Sequence, residues 1–151
     1  MIRTLIQVVP GSSFRNVYNE KTLEIPGKRP ASDSYPYSYG FIIGTLTDDD
    51  DAVDCYLITK EKLKPGSIVD CEPFGMLEQF EGDELDHKVL AVLPGQQAEI
   101  TLELQKELKD FIHTLFRYLP DIQIRVGDIL PKEDSSPHSN PSDQVNANGR
   151  V

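Results

Sequence analysis

Asp48-Asp49-Asp50-Asp51-Ala52-Val53-Asp54 is the stretch of this chain with the most chemistry in it. Adjacent aspartates repel one another unless something cationic neutralises them. The run abuts a strand-like segment on each side, so it joins ordered elements. In an extended backbone Asp49 and Asp51 point the same way, with Asp54 slightly further on. Carboxylates so spaced can share hard divalent cations, and all-oxygen ligation suits Mg²⁺ or Mn²⁺. The run also fits a plainer description, a solvated acidic turn.

A second acidic cluster follows, Glu81-Gly82-Asp83-Glu84-Leu85-Asp86-His87-Lys88, again just before an apolar segment. Two acidic loops on strand ends favour a joint metal site. Lys88 is either half of a weak surface ion pair or, in such a site, a contact for an anionic oxygen. His87 sits among oxygen ligands and reads as a surface residue rather than a zinc ligand. His113 falls on the polar side of a helix and reads as solvated.

The elements that must position these residues are mostly strands. Thr4 to Val9 is rich in β-branched residues and reads as a strand closed by Pro10. Phe14 to Tyr18 and Thr22 to Ile25 would pair as a hairpin around Asn19-Glu20-Lys21. Pro26 to Pro36 reads as loop. Tyr37 to Leu46, Val53 to Ile58, Ser67 to Glu72, Met76 to Phe80 and Lys88 to Leu93 read as further strands. Leu104, Leu108, Phe111, Ile112, Leu115 and Leu119 recur at helical steps, which predicts a helix from near Thr101 to Leu119. The expected class is α+β, mainly β: a closed, OB-like five-stranded barrel with the C-terminal helix packed outside. Residues 1–130 form one domain. Residues 131–151 are rich in Pro, Ser, Asn and Asp, too polar to offset ordering entropy, and are expected to be a disordered tail.

The chain has 151 residues and a formal net charge of -10, with 38% hydrophobic residues. An acidic surface repels nucleic acid and anionic lipid, so neither is an expected partner. If the protein acts on an anion, it needs cations or a local basic pocket to do so. The two cysteines, Cys55 and Cys71, form no CxxC pair and read as reduced thiols. Met1 to Pro10 lacks a basic region followed by a long apolar run, and no stretch approaches the roughly 20 apolar residues of a membrane span. The expected location is the cytoplasm.

The order of these motifs resembles that of the family I soluble inorganic pyrophosphatases. Asp49-Asp50-Asp51-Ala52-Val53-Asp54 is similar to that family's D-x-D-P-x-D signature, with alanine for proline. Tyr35-Pro36-Tyr37-Ser38-Tyr39-Gly40-Phe41-Ile42 resembles its Y-P-x-N-Y-G-Y-I. Glu72-Pro73-Phe74-Gly75 resembles its next strand pair, and Asp86-His87-Lys88-Val89 its D-x-K-hydrophobic stretch. Phe116 and Arg117 fall where the family's last helix carries a tyrosine and a lysine. The resemblance spans roughly Leu5 to Leu119.

The resemblance implies Mg²⁺-dependent hydrolysis of pyrophosphate or a related phosphoanhydride. Asp49, Asp54 and Asp86 would hold the metals that activate a water, and Asp51 would take its proton as general base. Glu81, or Asp83 in its place, would serve a further metal. Lys88 and Arg117 would bind phosphate oxygens, Tyr39 would bond near the metal carboxylates, and Arg29 would stand in for a family arginine that precedes Tyr35. Short prokaryotic members are typically homohexamers, so a homo-oligomer is implied too. Further positions depart from the pattern: Val8 where a glutamate is usual, Val17 where a phosphate-binding lysine is usual, Asn19 where an acidic residue is usual, and the arginine before Tyr35, which has no exact match although Lys28 and Arg29 are near. Those losses also fit a second reading, a non-catalytic relative that keeps the fold and binds metal or serves as a structural subunit.

Overall fold

The computed structural model describes residues 1–11, 14–17, 20–23, 27–30, 35–45, 52–116 and 123–131. In chain order its elements are β1 (Ile2–Val8), β2 (Phe14–Val17), β3 (Gly27–Pro30), β4 (Ser38–Ile42), β5 (Asp54–Leu57), β6 (Ile68–Glu81), β7 (Glu84–Leu85), β8 (Lys88–Val92), α1 (Leu102–Phe116) and β9 (Ile124–Pro131). The main sheet runs β1-β4-β5-β8-β6-β7, with β9 also on β6, and β1 pairs with β6 as well as with β4. The pairing path β1-β4-β5-β8-β6 therefore returns to β1. Only β5 and β8 are parallel; every other pair is antiparallel. Mainly β structure with one helix is the class expected from the sequence.

β1 and β4 explain why their sequences read as continuous apolar runs. From Thr4 to Val8, and throughout Ser38 to Ile42, every residue is buried. Neighbouring side chains point to opposite faces, so burial of both faces removes the usual alternation. Ile6 packs with Cys55, Leu57 and Cys71 on one side. Val8 packs with Tyr39, Tyr56 and Leu90 on the side facing the helix. Both cysteines are free and buried, and Cys71 Sγ lies 3.2 Å from Thr4 Oγ1.

Helix α1 begins after Thr101, whose Oγ1 accepts from the Leu104 N–H at 3.0 Å and caps the first turn. Leu104, Leu108, Phe111 and Ile112 are buried against the sheet. Each fully buried Leu or Ile contributes about 1.5–3 kcal/mol by leaving water. The expected end at Leu119 lies outside the described residues.

Several expectations need correction. Ser67 to Glu72 and Met76 to Phe80 are one strand, β6. Pro73 does not break it, because the register against β8 slips between Pro73 and Gly75, and a bulge tolerates the missing N–H. β2 pairs with Gly27–Pro30 rather than with Thr22 to Ile25. Leu23 is out of any strand at φ 66°, and 18–19 and 24–26 lie outside the described residues. The supposed loop Pro26 to Pro36 thus contains β3, with Pro30 at its end, where a ladder donor is dispensable. Finally, β9 was not anticipated at all. The expected tail, 131–151, starts one residue too early, because Pro131 is the last residue of β9; 132–151 lie outside the described residues.

Candidate functional site

The parallel pairing of β5 and β8 creates the site. Cys55 is in register with Val89 and Tyr56 with Leu90. One residue earlier, the same register sets Asp54 beside Lys88 at the starting ends of both strands. Strand alternation then turns Asp54 and Tyr56, and Lys88 and Leu90, toward α1. β4 adds Tyr39, in register with Tyr56. β6 adds Gln79 and Glu81. Together with Ile112 and Leu115 of α1, these residues line a cavity of about 170 Å³.

Lys88 Nζ donates to Asp54 Oδ2 at 2.6 Å and to Asp86 Oδ2 at 3.0 Å. Tyr39 donates its hydroxyl to the same Asp54 Oδ2 at 2.6 Å. The ammonium also stands 5.7 Å from the centre of the Tyr39 ring, within reach of the π face. The Lys88 side chain is only 7% exposed, and Asp54 20%. Tyr35 braces Tyr39, ring centres 5.3 Å apart, and is itself held by Phe111 of the helix at 4.7 Å.

Burial opposes the charge on Lys88, but the negative charges of Asp54 and Asp86 outweigh it, and the pKa is raised. Glu81 and Asp86 lie against each other. The hydrogen bond to Asp86, then burial, then Asp86's charge push Glu81 up to about 7. For Asp86 burial acts upward, but the Glu81 hydrogen bond and Lys88 outweigh it, and its pKa falls. The cavity is therefore crowded with acid oxygens around one buried cation.

The structure brings together Tyr39, Asp54, Glu81, Asp86 and Lys88 from the residues singled out in the sequence. Asp83 is exposed at the turn between β6 and β7 and does not line the cavity. Arg29 belongs to β3, in register with Arg15. Asp49, Asp51 and Arg117 lie outside the described residues. His87 is half-buried rather than a free surface residue: its Nδ1 accepts from the Gln79 N–H at 3.1 Å, and its ring meets Phe80 edge-on. His113 is exposed. Sequence reasoning passed over Tyr56 and Gln79. Strand alternation was the available signal, because Tyr56 is two residues from Asp54 and Gln79 two from Glu81.

Donor chemistry decides whether these residues suit a metal ion. The cavity offers carboxylate, amide and phenol oxygens and one ammonium, with no thiol or imidazole in its lining. Such a set fits a hard divalent cation such as Mg²⁺. The crowding of Glu81 against Asp86 is also what a cation relieves. Among the described residues no three carboxylate, thiol or imidazole groups stand together closely enough to hold a metal unaided.

Known proteins give an independent view. The family model described as inorganic pyrophosphatase matches residues 5–123. The chain is 30% identical over 141 residues to an inorganic pyrophosphatase of Synechocystis sp., covering 89% of this chain and 83% of the relative. It is 38% identical over 141 residues to one from Nostoc sp., at the same coverage. Among solved structures, an inorganic pyrophosphatase from Coxiella burnetii has the same fold, with TM-score 0.75 and 23% identity over 87% of this chain and 86% of that one. One from Thermus thermophilus superposes with TM-score 0.71 at 23% identity, over 85% of this chain and 81% of that one.

Proposed function

The chain belongs to the inorganic pyrophosphatase family, and we propose that it carries out that family's hydrolysis, of pyrophosphate to two phosphates, in the cavity of Asp54, Glu81, Asp86 and Lys88. The convergence of Lys88 on Asp54 and Asp86 carries the reading. A buried ammonium between a carboxylate of β5 and one from the link between β7 and β8 costs desolvation that an ordinary surface pair avoids. Its use is to present fixed positive charge where an anion enters an acidic protein.

Asp49, Asp54 and Asp86 would hold Mg²⁺, with Glu81 serving a further ion; Asp83 is left out because it is exposed and does not line the cavity. Bound there, the metal would supply a water of lowered pKa and neutralise phosphate charge. Asp51 would serve as the general base. Tyr39 fixes the orientation of Asp54 through its hydroxyl. Lys88, kept charged by its carboxylates, offers its remaining donor capacity to a phosphate oxygen, and Arg117 adds a bidentate contact. Arg29 would add a further contact to the substrate. The closed pairing path supports the reading of β1, β4, β5, β8 and β6 as a closed barrel, whose end then carries the site.

The outer part of the site is where this chain differs. Val8 is fully buried and packs with Tyr39 and Tyr56, so apolar contact stands where a glutamate is usual in the family. The central cluster is intact, which favours the catalytic reading over a non-catalytic one. A homo-oligomeric cytoplasmic enzyme is the setting this reading implies. Among the described residues no helix is long and apolar enough to cross a membrane.

The direct test is phosphate release from pyrophosphate with Mg²⁺, with and without the protein. Release well above the blank, abolished by a chelator, is expected. No release by the folded chain overturns the catalytic reading.

A further inference from the structure

Gln79 Oε1 is the only buried side-chain oxygen or nitrogen among the described residues that has no hydrogen-bond partner. Gln79 is 2% exposed and lines the cavity. A dry amide oxygen with no donor is costly, so its place calls for an explanation.

The backbone leaves the residue little freedom. Its carbonyl accepts from the Asp86 N–H at 2.8 Å, and its N–H donates to His87 Nδ1 at 3.1 Å. Residue 79 is thereby fixed against residues 86 and 87. Strand alternation sends Gln79 and Glu81 to the same face, and the Glu81 carboxylate accepts from the Gln79 side chain. With the amide set beside Glu81, its oxygen is left without a donor at the wall of the cavity.

We propose that Gln79 belongs to the cation site, its Oε1 accepting a hydrogen bond from a water carried by a divalent cation held at Glu81 and Asp86. This rests on the function proposed above. Mg²⁺ retains several of its waters when protein carboxylates bind it, and those waters are strong donors that need acceptors. An amide suits this place better than another acid does. It donates to Glu81 and accepts from a water at once, and it adds no negative charge to a group of three carboxylates balanced by Lys88. Loss of such an outer partner lowers metal affinity by roughly 10–100-fold in other sites.

The test uses the full chain and Mg²⁺ alone, without substrate. Gln79→Leu keeps the volume and removes both polar ends. Its metal-free melting temperature should hold or rise, because an unmade acceptor is gone. Its Mg²⁺ affinity by calorimetric titration should fall roughly tenfold or more. An affinity within about twofold of wild type overturns the inference and leaves Gln79 as a core amide. A wild-type chain that takes up no Mg²⁺ overturns both this inference and the reading beneath it. If Gln79→Leu does not fold, Gln79→Glu decides. It crowds a further charge against Glu81 and Asp86, so Mg²⁺ should raise its melting temperature more than it raises that of wild type. An equal rise overturns the inference.

Discussion

Lys88 Nζ lies 2.6 Å from Asp54 Oδ2, although 34 residues separate the two in sequence. Their meeting depends on the parallel register of β5 and β8, the only parallel pair among the described residues. Lys88→Met should expose what the ammonium does. The variant leaves Asp54 and Asp86 without a counter-charge while preserving the shape of the stem. Loss of one partner from a buried ion pair costs about 3–5 kcal/mol. Asp86 retains 36% side-chain exposure, so the lower end, about 3 kcal/mol, is expected in urea unfolding without metal. Mg²⁺ should restore part of that loss, while hydrolysis stays impaired. Unchanged stability would mean that the ammonium is not held as described.

Tyr39→Phe is a finer probe of the same oxygen. The hydroxyl donates to a carboxylate, and hydrogen bonds to charged groups are worth about 1.5–3 kcal/mol. The ring remains packed on Tyr35 and Tyr56, so the core should not collapse. The expected result is a loss of about 1.5 kcal/mol in metal-free stability, together with weaker Mg²⁺ binding from a less firmly oriented Asp54. Denaturant unfolding and calorimetric titration read the two effects separately.

The site was legible in sequence wherever its chemistry came in clusters. Asp54, Glu81, Asp86 and Lys88, which line the cavity, stand out in sequence because they fall in or beside runs of like charge; Asp49 and Asp51 lie outside the described residues. The helix was legible because Leu104, Leu108, Phe111 and Ile112 repeat on one face. Gln79 was not, since one polar residue in a strand carries no signal of which face is buried. β9 was missed because Arg125, Gly127 and Asp128 interrupt its apolar residues. The structure gives the reason for the glycine. A Cβ at Gly127 would stand 2.8 Å from Glu78 Oε1, the oxygen that also accepts from the Asp128 N–H at 3.1 Å. The Glu78 side chain crowds β9 at Gly127, and a side chain there would have to displace it. A residue that reads as a strand breaker thus makes room for a neighbour, and only the partner strand reveals it.

Gly40→Ala tests the tight closure between β1 and β4. A Cβ at Gly40 would fall 1.8 Å from the Leu5 carbonyl oxygen and 2.8 Å from its carbon. Both are backbone atoms of a central strand, so no side chain can turn aside. Gly40 also sits next to Tyr39, so any shift of β4 moves the hydroxyl that holds Asp54. The variant should fail to fold or lose more than about 4 kcal/mol, the range of exceptional single substitutions. A near-native melting curve would contradict the described register.

Asp51→Asn separates proton transfer from metal binding. Asp51 stands between Asp49 and Asp54 in sequence, and its proposed role is to accept the proton of the attacking water. An amide in its place cannot take a proton at neutral pH but keeps the size and most of the hydrogen bonding. Loss of a general base typically lowers rate by about 10²–10⁴-fold. Loss of a metal ligand such as Asp54 should lower affinity as well. The expected pattern is therefore a large fall in turnover for Asp51→Asn at nearly unchanged Mg²⁺ affinity, against a fall in both for Asp54→Asn. Steady-state phosphate release at saturating Mg²⁺, paired with calorimetric titration of each variant, distinguishes the two. If Asp51 were a solvated residue of an acidic turn, its asparagine variant would hydrolyse pyrophosphate within a small factor of wild type, and the base would have to be sought elsewhere. If Asp51→Asn lost affinity and turnover together, the residue would be a ligand, and the proton would pass to another acceptor.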